Sequence, residues 1–397
     1  MIRIRPDHLP TLRRFRRALE EWGYARACAR LTDPEPAHMA RHLARECASM
    51  ERPPELAQEN WTLVALFFLG QEQVRAEVEL VLDPGLLEDL ARVGLVDLAG
   101  GTVRSDRYMI VLLEDLPFIV SRLRHARTEE GSVAVYFGLD TVALVERTRA
   151  WDGVGSVLDL GCGGGIAGIL AAIEGRARRV GGTDLSPEAV EVARANAAMY
   201  GVEYHCRHGD LYRPVAGERF DRILADPPAI PVPHQIGLAI HGTGGPTGDA
   251  LVRRVVEGAV RHLEPGGELY AVTEVYSSSE DHALFPWLEG FARSETGRHV
   301  RVEFLGSRLL PEDYFLDLGR NLRYLPDWDP ALEALAPGER VERHARSLGI
   351  RFGHLIGIQL RLLAGRPSTF EAVQTEAFAR NGPEIHLDPG ASQETCR

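Results

Sequence analysis

From residue 1 to about 130 the apolar positions recur with a helical spacing. "LPTLRRFRRALEEWG" and "PAHMARHLARECASM" carry apolar stripes, and "ELAQENWTLVALFFLG" is apolar enough to be buried. "DPGLLEDLARVG" predicts a short helix with Asp83 as its N-cap and Gly94 as its stop. The following "LVDLAGGTVRSDRYMIVLL" alternates about Gly100-Gly101, which predicts a hairpin. Helices followed by a hairpin predict a mainly helical, winged-helix-like N-terminal domain over 1–130. Such a domain serves as a substrate lid, a dimer contact or a nucleic-acid grip.

From about 131 the pattern becomes strand, helix, strand. "SVLDLGC", "RVGGTDL", "EYHCRHGD", "FDRILAD" and "GELYAVTEV" are short apolar strands. Between them, "SPEAVEVARANAAMYG" is capped by Ser186 and stopped by Gly201, and "GDALVRRVVEGAVRHLEPGG" has Gly266-Gly267 as terminator. Regular alternation of this kind predicts an α/β domain with a parallel, doubly wound sheet. "RHVRVEFLG" and "FGHLIGIQLRLLAG" supply two last strands. The second domain is expected to span 131–366, with a long elaboration at 307–349 and a partly ordered tail at 367–397.

Composition narrows the class. A chain of 397 residues with 45% hydrophobic and 26% charged content is that of a soluble, two-domain protein. Its 5 cysteines lack metal-ligand spacing, so no metal is expected, and their scatter suits a reducing cytoplasm. No run is long and apolar enough to span a membrane. Every one of the 45 basic residues is arginine, and the net charge is −12. That balance disfavours broad contact with a phosphate backbone, so a small-molecule substrate is expected over nucleic acid.

The chemistry gathers at strand ends. In "VLDLGCGGGIAG", Asp159 precedes Gly161, Gly163, Gly164 and Gly165, where a strand turns into a helix. A pyrophosphate would be repelled by that acid; a cofactor bearing an ammonium or sulfonium would be drawn to it. Asp184, ending the second strand beside Leu185, suits the hydroxyls of a ribose. Asp210 ends the third, suited to an adenine amino group with Leu211 against the ring. Asp226 ends the fourth and is followed by Pro227 and Pro228, whose rings fix a stiff loop and remove two N–H donors.

"VLDLGCGGG", "GTDLSPEAVEVARANA", "GDLY" and "ILADPPAIP" resemble, in order and spacing, the class I S-adenosylmethionine-dependent methyltransferases. Within them the chain looks most like the [N/D]PP[Y/F] branch that includes the HemK/PrmC type. "VYFGLDTVALVERT" is similar to the segment ahead of the glycine loop in that type, which places Tyr136, Phe137 and Thr141 near the cofactor. The resemblance covers roughly 131–275. It implies a Rossmann-like, seven-stranded sheet, S-adenosylmethionine bound by the residues above, and a substrate –NH₂ clasped by Asp226 and the Pro227 carbonyl. The branch's aromatic after the prolines is replaced here by Ala229, which removes a stacking partner for a planar base. Tyr136, Tyr212 and His234 are candidate walls in its place. The expectation is a cytoplasmic N-methyltransferase of a small amino-acid-like or specialised metabolite; glutamine-type protein methylation and RNA-base methylation remain alternatives.

Overall fold

The structure, a computed structural model, describes residues 2–31, 50–122, 135–233, 242–278, 282–311, 314–315 and 337–374. The chain opens with α1 (Leu9–Glu21) and α2 (Tyr24–Leu31). Helix α3 (Gln58–Val64), which runs on as a π turn through Leu69, is followed by β1 (Gln73–Val74) and α4 (Arg75–Val78). Then come α5 (Pro84–Val93), β2 (Asp97–Ala99) and β3 (Thr102–Arg104). Helix, strand, two helices and hairpin is the order of a winged helix, and the strands pair as β1-β3-β2. The Asp83 side chain accepts from Leu86 N–H at the start of α5, and Gly94 closes it at φ 84°. A second hairpin, β4 (Tyr108–Leu113) with β5 (Leu116–Ser121), turns at Glu114, which holds a positive φ of 55°. Its strands carry uninterrupted apolar runs because both faces are covered, which hides the hairpin from an alternation test.

Helix α6 (Leu139–Arg149) leads into the large sheet. Its strands are β6 (Val154–Leu160), β7 (Ala177–Asp184), β8 (Tyr204–His208), β9 (Phe220–Ala225) and β10 (Leu263–Ser277). They are joined by β11 (Arg298–Leu309), β12 (Phe352–Leu362) and β13 (Thr369–Gln374). The crossing helices are α7 (Ile166–Ile173), α8 (Pro187–Tyr200), α9 (Ala250–His262) and α10 (Leu284–Arg293), with α11 (Pro337–Ser347) ahead of β12. Strand order is β13-β11-β12-β10-β9-β6-β7-β8. Strands β8, β7, β6, β9 and β10 run parallel, and β12 is antiparallel to both neighbours. This is the doubly wound α/β sheet expected, with eight strands instead of seven. The eighth is β13, from the stretch expected to be tail, paired parallel to β11. Helix α9 stops at His262, and Gly266-Gly267 lie in β10, where its register against β9 shifts. The chain winds from β6 outward to β8 and then returns to β9 on the other side of β6. That return makes a topological switch point at the carboxyl ends of β6 and β9.

One apolar core runs through both parts of the chain, including Phe15 of α1, Phe118 of β5, Ile169 of α7 and Met199 of α8. The basic face of α1 is used in this docking. Arg14 pairs with Asp83 at 2.6 Å, and Arg16 donates to the Met199 carbonyl at 3.0 Å while lying over the Tyr200 ring. Among the described residues no helix is long and apolar enough to cross a membrane.

Candidate active site

The glycine loop closes against the end of β7. Gly161 and Cys162 donate their N–H groups to the Thr183 carbonyl at 2.8 and 3.0 Å. Gly163 N–H donates to Asp184 Oδ2 at 2.9 Å, and Ser186 N–H to Asp184 Oδ1 at 2.8 Å. Gly161 (φ 68°) and Gly163 (φ 51°) need the left-handed conformation, and the places where their Cβ atoms would stand are open to 4 Å. Gly165, also left-handed, lies close against Ala193 and Tyr204 and starts α7. The open cradle fits a cofactor whose backbone-facing side needs close approach.

Asp159 is 3% exposed, and its Oδ2 accepts from Gly168 N–H (3.1 Å) and Tyr204 O–H (3.2 Å). Burial pushes its carboxyl up to about 7 against those two donors, with the Asp184 charge adding to the rise. Asp184 is also raised, chiefly by burial, while its backbone N–H bonds oppose the shift. Leu185 beside it stays exposed on the cradle edge.

At the end of β9, Asp226 is raised well above the carboxylate range, by burial first and then by the charges of Asp140, Asp159 and Glu274. The Thr141 hydroxyl, hydrogen-bonded to it, pulls the other way. Burial and the Glu274 charge push Asp140 up to about 6, with Thr141 N–H donating to its Oδ1 at 2.8 Å. The Pro227 carbonyl accepts from Thr273 Oγ1 at 3.2 Å. Tyr136, 40% exposed, lies in the field of Asp140, Asp226, Glu274 and Tyr314. The Tyr276 hydroxyl donates to Glu274 and lies 3.4 Å from the Tyr314 hydroxyl. Carboxylates and tyrosines thus gather at the end of β9, a setting suited to a ligand rich in N–H groups.

Several predicted site residues lie elsewhere. Tyr212 is buried, donates to the Val255 carbonyl at 2.7 Å and stacks on His262 at 4.5 Å, so it packs under α9 instead of facing Asp226. Phe137 is part of the core, and Thr141 stands in the first turn of α6, its hydroxyl oxygen accepting from Gly138 N–H at 3.4 Å. Asp210 is half exposed and paired with Arg254 at 2.6 Å; Leu211, at φ 46°, packs against the apolar face under α9. Pro228 is half-buried. His234 lies outside the described residues. Ala229 leaves no open gap: it is 8% exposed, beneath Gly244 and Gly248, whose Cβ atoms would run into its backbone. Tyr276, Tyr314 and Phe315 pack in the same cluster. Among the described residues no group of acids, histidines or cysteines has the geometry of a metal site.

Asp140, Thr273, Glu274 and Tyr314 were not singled out from the sequence. A glutamate inside the apolar run of β10 is a signal that was available, since a carboxylate in an otherwise apolar strand breaks the local pattern in the way functional positions do.

Comparison with known proteins shows what this part of the chain is similar to. Residues 140–289 match the methyltransferase small domain. That stretch is similar to class I, S-adenosylmethionine-dependent methyltransferase domains. Over 122 residues the domain is 35% identical to the ribosomal RNA small subunit methyltransferase C of Escherichia coli K12, covering 31% of this chain and 32% of that protein. The same enzyme from E. coli O157:H7 matches equally. The chain thus spans about a third of the length of the curated relatives it matches. Among solved structures, the M. jannaschii tRNA m1G37 methyltransferase overlaps at TM-score 0.37 with 12% identity, covering 67% of this chain and 60% of that one. The ribosomal protein L11 methylase of Lactobacillus delbrueckii subsp. bulgaricus overlaps at 0.31 with 17% identity, covering 57% and 81%. Overlaps of this size carry nothing about substrate. The curated relatives correct two expectations. They are ribosomal RNA enzymes and not of the HemK/PrmC type, and they overturn the assignment of a small-molecule substrate with nucleic acid unlikely. Nothing in the match supports specialised metabolism.

Proposed function

We propose that the chain is an S-adenosylmethionine-dependent N-methyltransferase acting on the amino group of a base in RNA, with ribosomal RNA the first substrate to try. The observation that carries this reading is the pair of acceptors, the Asp226 carboxyl and the Pro227 carbonyl, at the switch point next to the open glycine cradle. Bound in that cradle, the cofactor supplies a methyl carbon activated by a sulfonium. Asp159 and Asp184 favour its positive charge and ribose. Asp226 and the Pro227 carbonyl each accept one N–H of the substrate amine, which turns the nitrogen lone pair toward the methyl. The high proton affinity of Asp226 suits it to take up the proton that the nitrogen sheds as the new bond forms. Asp140 and Glu274 add further acceptors, so the site favours guanine, whose pairing edge presents N–H groups side by side, over adenine with one amino donor. The 35% identity to ribosomal RNA methyltransferases over 122 residues supports the RNA assignment.

The test is methyl transfer from labelled cofactor to an unmodified small-subunit ribosomal RNA transcript, with tRNA and total protein alongside and nucleosides resolved by mass spectrometry. Label in an N-methylated base is expected, and Asp226→Ala should cut turnover on the order of 10²-fold with cofactor affinity changed little. Label confined to protein would sink the reading.

A further inference from the structure

The Pro227 carbonyl of the diproline corner is held by a threonine hydroxyl. We propose that Thr273 is a positioning residue that aims the Pro227 carbonyl at the substrate amine; the proposal rests on the N-methyltransferase reading above.

The sheet register brings Thr273 to its place. Ala271 of β10 lies opposite Ala225 of β9, so two residues further on Thr273 comes level with Pro227. There the ladder cannot continue, because Pro227 and Pro228 have no N–H to give. The hydroxyl of Thr273, 1% exposed, takes over. Its single hydrogen has two acceptors, the Pro227 carbonyl at 3.2 Å and the Glu274 carbonyl at 3.3 Å. A carbonyl oxygen offers two lone pairs, so one remains for a substrate N–H while the other is held. The backbone of Thr273 is fixed on its far side by pairing with Ile356 of β12, so the hydroxyl is anchored to the middle of the sheet.

Thr141, in the first turn of α6, serves its own helix start, where its hydroxyl oxygen accepts from Gly138 N–H at 3.4 Å. Filling of a strand position alone would need the shape of the Thr273 side chain but not a hydrogen aimed at the corner.

The experiment compares Thr273→Val, which keeps shape, with Thr273→Ser, which keeps the hydroxyl. The full chain is used with an unmodified small-subunit ribosomal RNA transcript. Thr273→Val is expected to lower kcat on the order of 10²-fold, with RNA and cofactor affinities near wild type. Thr273→Ser should recover wild-type behaviour. A valine variant with wild-type kcat overturns the proposal, as does a serine variant as impaired as valine. No transfer by the wild-type protein overturns the N-methyltransferase reading itself, whereas transfer by wild type that Thr273→Val leaves unchanged overturns only the role of Thr273.

Discussion

Asp159 shows how the binding role proposed for it conflicts with folding at a single residue. Its carboxyl is held at about 7 in the fold against a usual value near 3.8, so the folded chain keeps a proton that the unfolded chain releases. The stability this gives is fully present below about 4 and is lost as pH rises through 7. Asp159→Asn still accepts from Gly168 and Tyr204 but cannot ionise. It should therefore raise Tm over wild type most at pH 8 and least near pH 4, while weakening cofactor binding. A Tm difference independent of pH would contradict this account. The same protons oppose the cofactor, whose sulfonium and ammonium prefer ionised partners. With Asp140 near 6, Asp159 near 7 and Asp226 raised well above the usual carboxylate value, S-adenosylmethionine should bind roughly tenfold tighter at pH 8 than at pH 5.5. S-adenosylhomocysteine, which lacks the sulfonium charge, should show less of this, and calorimetry across pH checks it. The strand-end positions of Asp159, Asp184 and Asp226 could be read from the sequence, because each closes an apolar run. The packing of Tyr212 under α9 could not, because an aromatic beside a motif gives no sign of which way it points.

At the scale of elements, loop geometry separates what the fold needs from what the ligand needs. Gly163 at φ 51° and Gly175 at φ 69° both hold left-handed backbone with open space above, but only Gly163 lies in the cradle. An alanine at either should cost about 1–2 kcal/mol in stability. Gly163→Ala should in addition lose cofactor affinity, while Gly175→Ala should keep it; equal affinity in the two variants would remove the cradle from the argument. The parallel strands and their caps could be read from apolar runs and from Asp83, Gly94, Ser186 and Gly201. The β4-β5 hairpin could not, since burial on both faces erases alternation. The start of β10 was misread because Gly266-Gly267 looked like a helix stop and instead accommodate a register shift.

For the whole molecule, the expected boundary near 130 is crossed by packing. Arg122, 2% exposed, donates to the carbonyls of Phe67, Phe68, Ser105 and Tyr108 at 2.8–3.2 Å and ties α3 to the hairpin under the shared core. Arg122→Met strands these buried acceptors and should cost about 3 kcal/mol or more. Because one core joins Phe15 to Met199, calorimetry should show a single transition in both wild type and variant; two separate transitions would show independent domains. This coupling was beyond sequence reading, since a change in periodicity marks where the pattern alters and not where the contacts stop.

The replacement of the motif aromatic by Ala229 has a consequence of its own. The ring cluster over the corner is drawn from Tyr276, Tyr314 and Phe315, and Val341 and Ala345 of α11 back it. His344 of the same helix fastens it to the Pro246 carbonyl at 2.7 Å. On the function proposed above, the corner that holds the amine and the rings over it therefore sit in segments far apart along the chain and can change separately. Exchange of Tyr314 and Phe315 is then a route to retargeting with the proposed chemical step left whole.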